Sequence, residues 1–276
     1  MPGRRAPYSQ SVKGKSKARA RLAEQRARLE RHALAETERD VCRCRVAAQR
    51  IWTIAHAAAP RLGDALRPLD SELRWLAALL TPVRDLDVLV AHLRPQVETL
   101  GTDTDGGKLA LAALERQRTF RRQELTAGVE SARFGSLLEL VDRAVESPAS
   151  GASYASFAAA QRSKLQRTAA RLDDGSSDVA LYVLQLRAQR ARYSAELLGG
   201  AKTARYVKAL ARMQKLAEQH EDAVAAEAWL RTLSRPKTAL AVGRLVEREQ
   251  FRKRAQRAAL PAAVTTALRL GRAVSF

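Results

Sequence analysis

VCRCRVAAQR at Val41–Arg50 and LYVLQLRAQR at Leu181–Arg190 lie 140 residues apart and end on the same Ala-Gln-Arg. Further on, LTPVRDLDVLVAHLR at Leu80–Arg94 is loosely matched by LAEQHEDAVAAEAWLR at Leu216–Arg231 at nearly the same offset. Self-similarity at a fixed offset marks a repeated supersecondary unit. Each half then holds an amphipathic basic helix, a second helix and a helix carrying a polar, Asp-containing turn. Two similar helical bundles, divided near Ser147–Ser153, are the expected architecture.

The text around these segments is rich in Ala, Leu, Arg, Glu and Gln, which are strong helix formers. No run of alternating β-branched residues interrupts it, and aromatic residues make up only 5% of the chain, so a β-rich or α/β fold is not expected. Gly, Pro, Ser and Asp cluster at Gly101–Gly107, Ser147–Ser153, Asp173–Asp178, Gly199–Gly200 and Ser234–Pro236, where the helices should break. Thr81-Pro82 reads as an N-cap followed by proline at the first helical position, with Asp85 near the positive end of the dipole. That spacing predicts a helix from Pro82 to Arg94. Residues 1–17 mix Gly, Pro, Ser and Lys/Arg with almost no large apolar side chain, and read as a disordered basic tail. The helical domain then comprises a first half at 18–150 and a second at 151–276.

Forty-nine Lys and Arg stand against 29 Asp and Glu in 276 residues, a net charge of +20. A hydrophobic fraction of 46% excludes a chain disordered throughout, so the charge must decorate a folded body. Such an excess favours polyanionic partners: nucleic acid, polyphosphate or an acidic membrane surface. No run approaches the about 18 apolar residues of a membrane-spanning helix, and no secretory signal pattern is present, so a cytoplasmic protein is expected. Basic residues gather at Arg116–Arg122, Arg162–Arg171 and Arg248–Arg257. The tail, with Arg4, Arg5, Lys13, Lys15 and Lys17, adds charge that binds DNA, RNA or polyphosphate alike.

Catalytic and metal motifs are missing from the text. No P-loop, dinucleotide-binding turn or nucleophile elbow occurs, and neither a zinc-finger spacing nor an RRM-type motif is found. Cys42 and Cys44 stand two apart on one helix and diverge, so a metal site is not expected and a packed thiol is. His32, His56, His92 and His220 are scattered, as hydrogen-bonded structural histidines would be. Asp85 and Asp87 also diverge, which makes them a poor acid–base pair. A helix cap and a salt bridge to a neighbouring arginine suit them better.

The chain resembles the CHAD domains. The resemblance is carried by RARLAEQRARLERHAL, RVAAQRI from Arg45, ELRWLAALLTPVRDLDVLVAHL at Glu72–Leu93, QLRAQRARYSAEL and LARMQKLAEQHEDAVAAEAWL. It implies an all-α fold of two pseudo-repeated four-helix bundles packed into one helical domain, here behind the short basic tail. It also implies non-catalytic binding of inorganic polyphosphate, without a cofactor, and association with polyphosphate granules. Basic residues at i, i+3, i+7 and i+10 on one helix of each repeat carry the family's binding face. Those positions here are Cys42, Arg45, Gln49 and Trp52, then Tyr182, Gln185, Gln189 and Arg192. Two of the eight keep a cation and both family histidines are absent. Arg45, Arg50, Arg187, Arg190, Arg192, Lys208 and Arg212 are the candidate polyphosphate-binding residues, because a planar guanidinium grips two phosphate oxygens at once. The alternative is a scaffold that kept the fold and binds a protein partner, or nucleic acid without sequence preference.

Overall fold

The computed structural model describes residues 8–34, 37–146, 151–173 and 175–275. Within them the chain is helical and no strand occurs. The helices are α1 Tyr8–His32, α2 Glu38–Ala57, α3 Ala59–Leu62, α4 Leu66–Glu98, α5 Thr104–Glu130, α6 Ala132–Glu146, α7 Gly151–Ala169, α8 Asp178–Glu196, α9 Ala201–Thr232 and α10 Ala239–Arg272. Local chemistry explains several boundaries. Thr37 caps α2 by accepting from the Asp40 N–H (3.2 Å), while Asp40 accepts from the Thr37 N–H (3.2 Å), a reciprocal capping box. Ser177 caps α8 through the Ala180 N–H (3.2 Å). Gly199 and Gly200, at φ 77° and 92°, turn the chain from α8 into α9 in a backbone region that side chains disfavour.

Two expectations fail locally. No helix starts at Pro82: α4 runs unbroken from Leu66 to Glu98 with Pro82 and Pro95 inside it. Thr81 is therefore not an N-cap; its hydroxyl donates to the Ala77 carbonyl (2.7 Å), and Asp85 lies mid-helix rather than in a first turn. The apolar stripe Leu69, Leu73, Leu76, Leu80, Val83, Leu86 and Val90 continues in phase through the proline. Burial of that stripe outweighs the few kcal/mol a mid-helix proline costs. In addition, α1 begins at Tyr8, ten residues before Ala18. Lys, Arg, Ala and Gln extend a helix without needing an apolar face. Residues 1–7 lie outside the described part.

Three apolar clusters hold the helices. The first joins α1, α2, α6, the start of α4 and the end of α5 around Leu29, Ile51, Leu76 and Leu137. Another joins α7, α8, the start of α9 and the end of α10 around Leu165, Leu184, Tyr206 and Leu210. Between them a third cluster draws on α4, α5, α9 and α10, with Leu93, Leu114, Leu230 and Leu245. The long helices α4, α5, α9 and α10 thus each serve two cores. The echoing segments fall on α2 and α8, which pack against each other.

Candidate functional site

The contact between α2 and α8 positions the polar residues of both. Gln49 and Gln189, 140 residues apart, meet side chain to side chain: Gln189 Nε2 donates to Gln49 Oε1 (3.0 Å), which also accepts from the Tyr193 hydroxyl (3.2 Å). Arg50 and Arg192 lie over the Tyr193 ring, 5.5 and 4.6 Å from its centroid, and share Glu196 (2.9 and 3.4 Å).

A cavity of 230 Å³ opens beside this contact, with α4 as its third wall. Its lining includes Arg45, Arg74 and Arg190 but neither Asp nor Glu. Arg190 stacks over Trp52, 4.7 Å from the ring centroid. Trp52 in turn is fixed by its indole N–H to Asp70 (2.7 Å) and by contact with the His56 ring. Burial lowers the pKa of His56, and Arg190, Arg74 and Lys164 lower it further. Arg190 is pushed down as well, by burial and then by Arg187. Burial is the larger cause of both shifts, and the neighbouring cations add to it.

A second cavity, of 330 Å³, shares Arg45, Thr81, Tyr182 and Leu186 with the first and runs toward the middle core. Four carboxylates line it: Asp85 from α4 and Glu218, Glu221 and Asp222 from α9. Arg84 bridges two of them, at 2.6 Å to Asp222 and 3.2 Å to Asp85. Burial works against the charged Arg84, but Asp222 outweighs it and raises its pKa. Glu221 is pushed up to about 7, by burial first and then by Asp85 and Asp222.

Among the candidate residues, Arg45 and Arg190 share the cationic cavity, and Arg187 is close enough to perturb Arg190. Arg50 and Arg192 are tied to Glu196. Lys208 and Arg212 are exposed on α9 and line neither cavity. Arg74 lines the positive pocket although the sequence did not point to it, since Asp70 and Arg74 at i, i+4 read as an ordinary solvated pair; Lys164, from the basic stretch Arg162–Arg171, acts on His56 without lining the cavity. Much of the remaining basic text holds the fold together. Arg118 and Arg122 clamp the buried Asp87 (2.6 and 2.7 Å), and Arg162 donates to the Gly271 and Val274 carbonyls. Asp85 and Asp87 therefore do diverge, one into the acidic cavity and the other toward α5. Each of the four histidines contacts a carboxylate: His32 Asp40, His56 Asp70, His92 Glu249 and His220 Asp178. Cys44 is packed, and burial pushes its thiol up to about 12, whereas Cys42 is exposed rather than packed.

The family model of the CHAD domain matches residues 11–231. The chain belongs to the CHAD family. The match runs from α1 to the end of α9 and stops before α10, so the CHAD-like segment supplies most of both cavities and α10 completes the middle core. The fold is similar to the crystal structure of the CHAD domain from the plant Ricinus communis, with TM-score 0.75, 21% identity and 91% of each chain covered. It is also similar to PptA from Streptomyces chartreusis, with TM-score 0.71, 22% identity and coverage of 91% of this chain and 99% of that one. No curated protein sequence matches the chain. Of the positions that the CHAD resemblance makes a binding face, Arg45, Gln49, Trp52, Tyr182 and Gln189 line the cationic cavity. Gln185 instead donates to Glu218 (3.2 Å) in the acidic one.

Proposed function

We propose that the protein binds inorganic polyphosphate, or a polyanion like it, without catalysing its turnover, at the mouth of the cavity between α2, α4 and α8. The observation that carries this reading is the lining itself, with three guanidiniums and no carboxylate. After burial, Arg187 lowers the pKa of Arg190, and Lys164 and Arg74 add to the field at His56. Like charges held this close raise one another's energy, and a bound anion relieves that cost. A flexible strand with one charge per phosphate enters between the helices and is held by charge-assisted hydrogen bonds. Membership of the CHAD family supports the same ligand, and granule association follows from it.

A second reading is favoured by one contact. Gln49 and Gln189 hydrogen-bond to each other where the resemblance places cations, as in a scaffold that has given up the phosphate face for a protein or nucleic-acid partner. The two readings part in a titration of the full chain with long-chain polyphosphate at two salt concentrations, with DNA of matched charge as competitor. Polyphosphate retained against DNA at physiological salt, and weakened by Arg187→Ala with Arg190→Ala, supports the proposal. On single nucleic-acid strands the log–log salt slope is about −0.7 per neutralised phosphate, so the double variant should flatten it by about 1.4. Equal displacement by DNA with an unchanged slope overturns it in favour of the scaffold.

A further inference from the structure

The acidic cavity shares Arg45 and Tyr182 with that site but carries carboxylates where the other has none. We propose that it binds a small aliphatic amine, whose ammonium groups are taken by Asp85, Glu218 and Glu221 while the Gln185 side-chain carbonyl accepts one N–H. The first support is the balance of charge. Four carboxylates line the space, and Asp222 and part of Asp85 are answered by Arg84. Arg252 is paired with Glu249 (2.9 Å), which also takes His92 (2.6 Å), and Arg45 is the third guanidinium of the lining. Carboxylates thus outnumber guanidiniums in the lining by four to three, inside a chain whose net charge is +20.

The second support is independent of charge. Gln185 and Gln214 both point their amide N–H groups at Glu218 Oε1, at 3.2 and 2.8 Å. This leaves both amide oxygens without a donor, and Gln185 is only 3% exposed. A buried acceptor without a donor costs about 1–3 kcal/mol, and a ligand N–H removes the cost.

An ammonium group with three N–H donors suits this better than a metal ion. Among the described residues no three His, Cys, Asp or Glu side chains are placed to hold a metal. Divalent cations require oxygens at about 2.0–2.6 Å, whereas an ammonium reaches carboxylates at about 2.7–2.9 Å and tolerates a looser cage. Tyr182 and Trp229 in the lining provide apolar faces for the methylenes of such a ligand. A volume of 330 Å³ fits a short chain of that kind.

Glu221 makes the occupant visible. With its pKa near 7 it is about half protonated at neutral pH, and an ammonium beside it drives the proton off. The titratable and charged groups that share the cavity with it are Asp85, Arg84 and His92 of α4, Glu218 and Asp222 on its own helix, Arg45 of α2, Tyr182 of α8 and Arg252 of α10.

Isothermal titration of the full chain with putrescine, at pH 7, fixed ionic strength and in two buffers of different ionisation enthalpy, tests this. A single saturable site with proton release is expected. Glu221→Gln should abolish the proton release and weaken binding about tenfold at pH 8, where the wild-type carboxylate is charged. Gln185→Leu should weaken binding about tenfold and keep the proton release. Both changes are near-isosteric, and a thermal shift of the wild-type chain by putrescine provides a reading that needs no variant. No saturable heat and no thermal shift would overturn the proposal, as would binding that both variants leave intact, or displacement of putrescine by equimolar Mg²⁺. Because the polyphosphate titration probes Arg187 and Arg190, either result can fail without the other.

Discussion

The two cavities that meet at Arg45, Thr81, Tyr182 and Leu186 are built largely from the same helices and carry opposite charge. On α4, Arg74 faces one and Asp85 the other; eleven residues make just over three full turns, so both project from the same side of the helix about 16 Å apart. On α8, Gln189 turns to Gln49 in the cationic cavity, and Gln185, one turn earlier, turns to Glu218 in the acidic one. Net charge thus says little about any one place on this surface. The difference lies in where carboxylates reach: Asp222 and Glu218 of α9 extend into one cavity, and no acidic residue extends into the other.

The largest effect is expected on the acidic side. Arg84 and Asp222 are 17% and 13% exposed at the side chain, so Asp222→Ala leaves a largely buried guanidinium with only the 3.2 Å contact to Asp85. Removing one partner of such a pair costs about 3 kcal/mol, read as a lower denaturant midpoint at unchanged slope. A loss below about 1 kcal/mol would show that the pair behaves as a solvated one, and the acidic wall would then be a surface feature rather than part of the fold.

Next in size is the cationic side. Arg190→Glu places a carboxylate in a lining that has none and should weaken polyphosphate binding by tenfold or more, about 1.4 kcal/mol. In the same titration Glu221→Gln should leave polyphosphate affinity unchanged or slightly raised, since it removes a nearby negative charge. If both substitutions acted alike, the cavities would be one electrostatic unit and the contrast between them would dissolve.

The pH response separates them again. The Glu221 pKa is raised from 4.5 to about 7 on folding, so between these values the folded chain holds more proton than the unfolded one. Stability from this group is complete below about pH 4.5 and falls as pH rises through 7. Glu221→Gln mimics the protonated form, and its midpoint relative to the wild type should therefore climb between pH 5 and pH 8. Taking the difference cancels the groups whose pKa values move the other way, such as Glu249. A flat difference would mean that Glu221 ionises freely and that the cavity is wet and well screened.

How far these sites could be read in the sequence follows from which interactions are local. Helical class and the breaks at Gly199–Gly200 and Asp173–Asp178 rest on short-range propensity and were legible, whereas the packing of Val41–Arg50 against Leu181–Arg190 is a tertiary contact. Thr81-Pro82 misled because a local start signal was overridden by an apolar stripe running through it. Arg45 and Arg190 could be picked out as basic residues of the echoing helices. Whether a given arginine faces solvent or a carboxylate is a tertiary fact: Arg118 and Arg122 look no different in sequence from Arg187 and Arg190, yet the first two clamp Asp87. The acidic cavity was hidden for the same reason, since Glu218, Glu221 and Asp222 read as one helix's charges until Asp85 and Gln185 are brought against them.

Lys208 and Arg212 set the smallest effect and the sharpest control. They stand one turn apart on α9, both exposed, with no ion pair between them and any described carboxylate. A solvated cation on a flexible side chain attracts a polyanion at long range, and at physiological salt that reach ends within about 8 Å. Lys208→Ala with Arg212→Ala should therefore slow polyphosphate association at low salt, and at 0.15 M should change affinity by less than about twofold, within the range of exposed charges. The pair carries the same nominal charge as Arg187 and Arg190, so the comparison isolates placement from charge. Were the loss at 0.15 M as large as that from Arg190→Glu, the polyanion would lie along the outer face of α9, and the cavity between α2, α4 and α8 would no longer be where it binds.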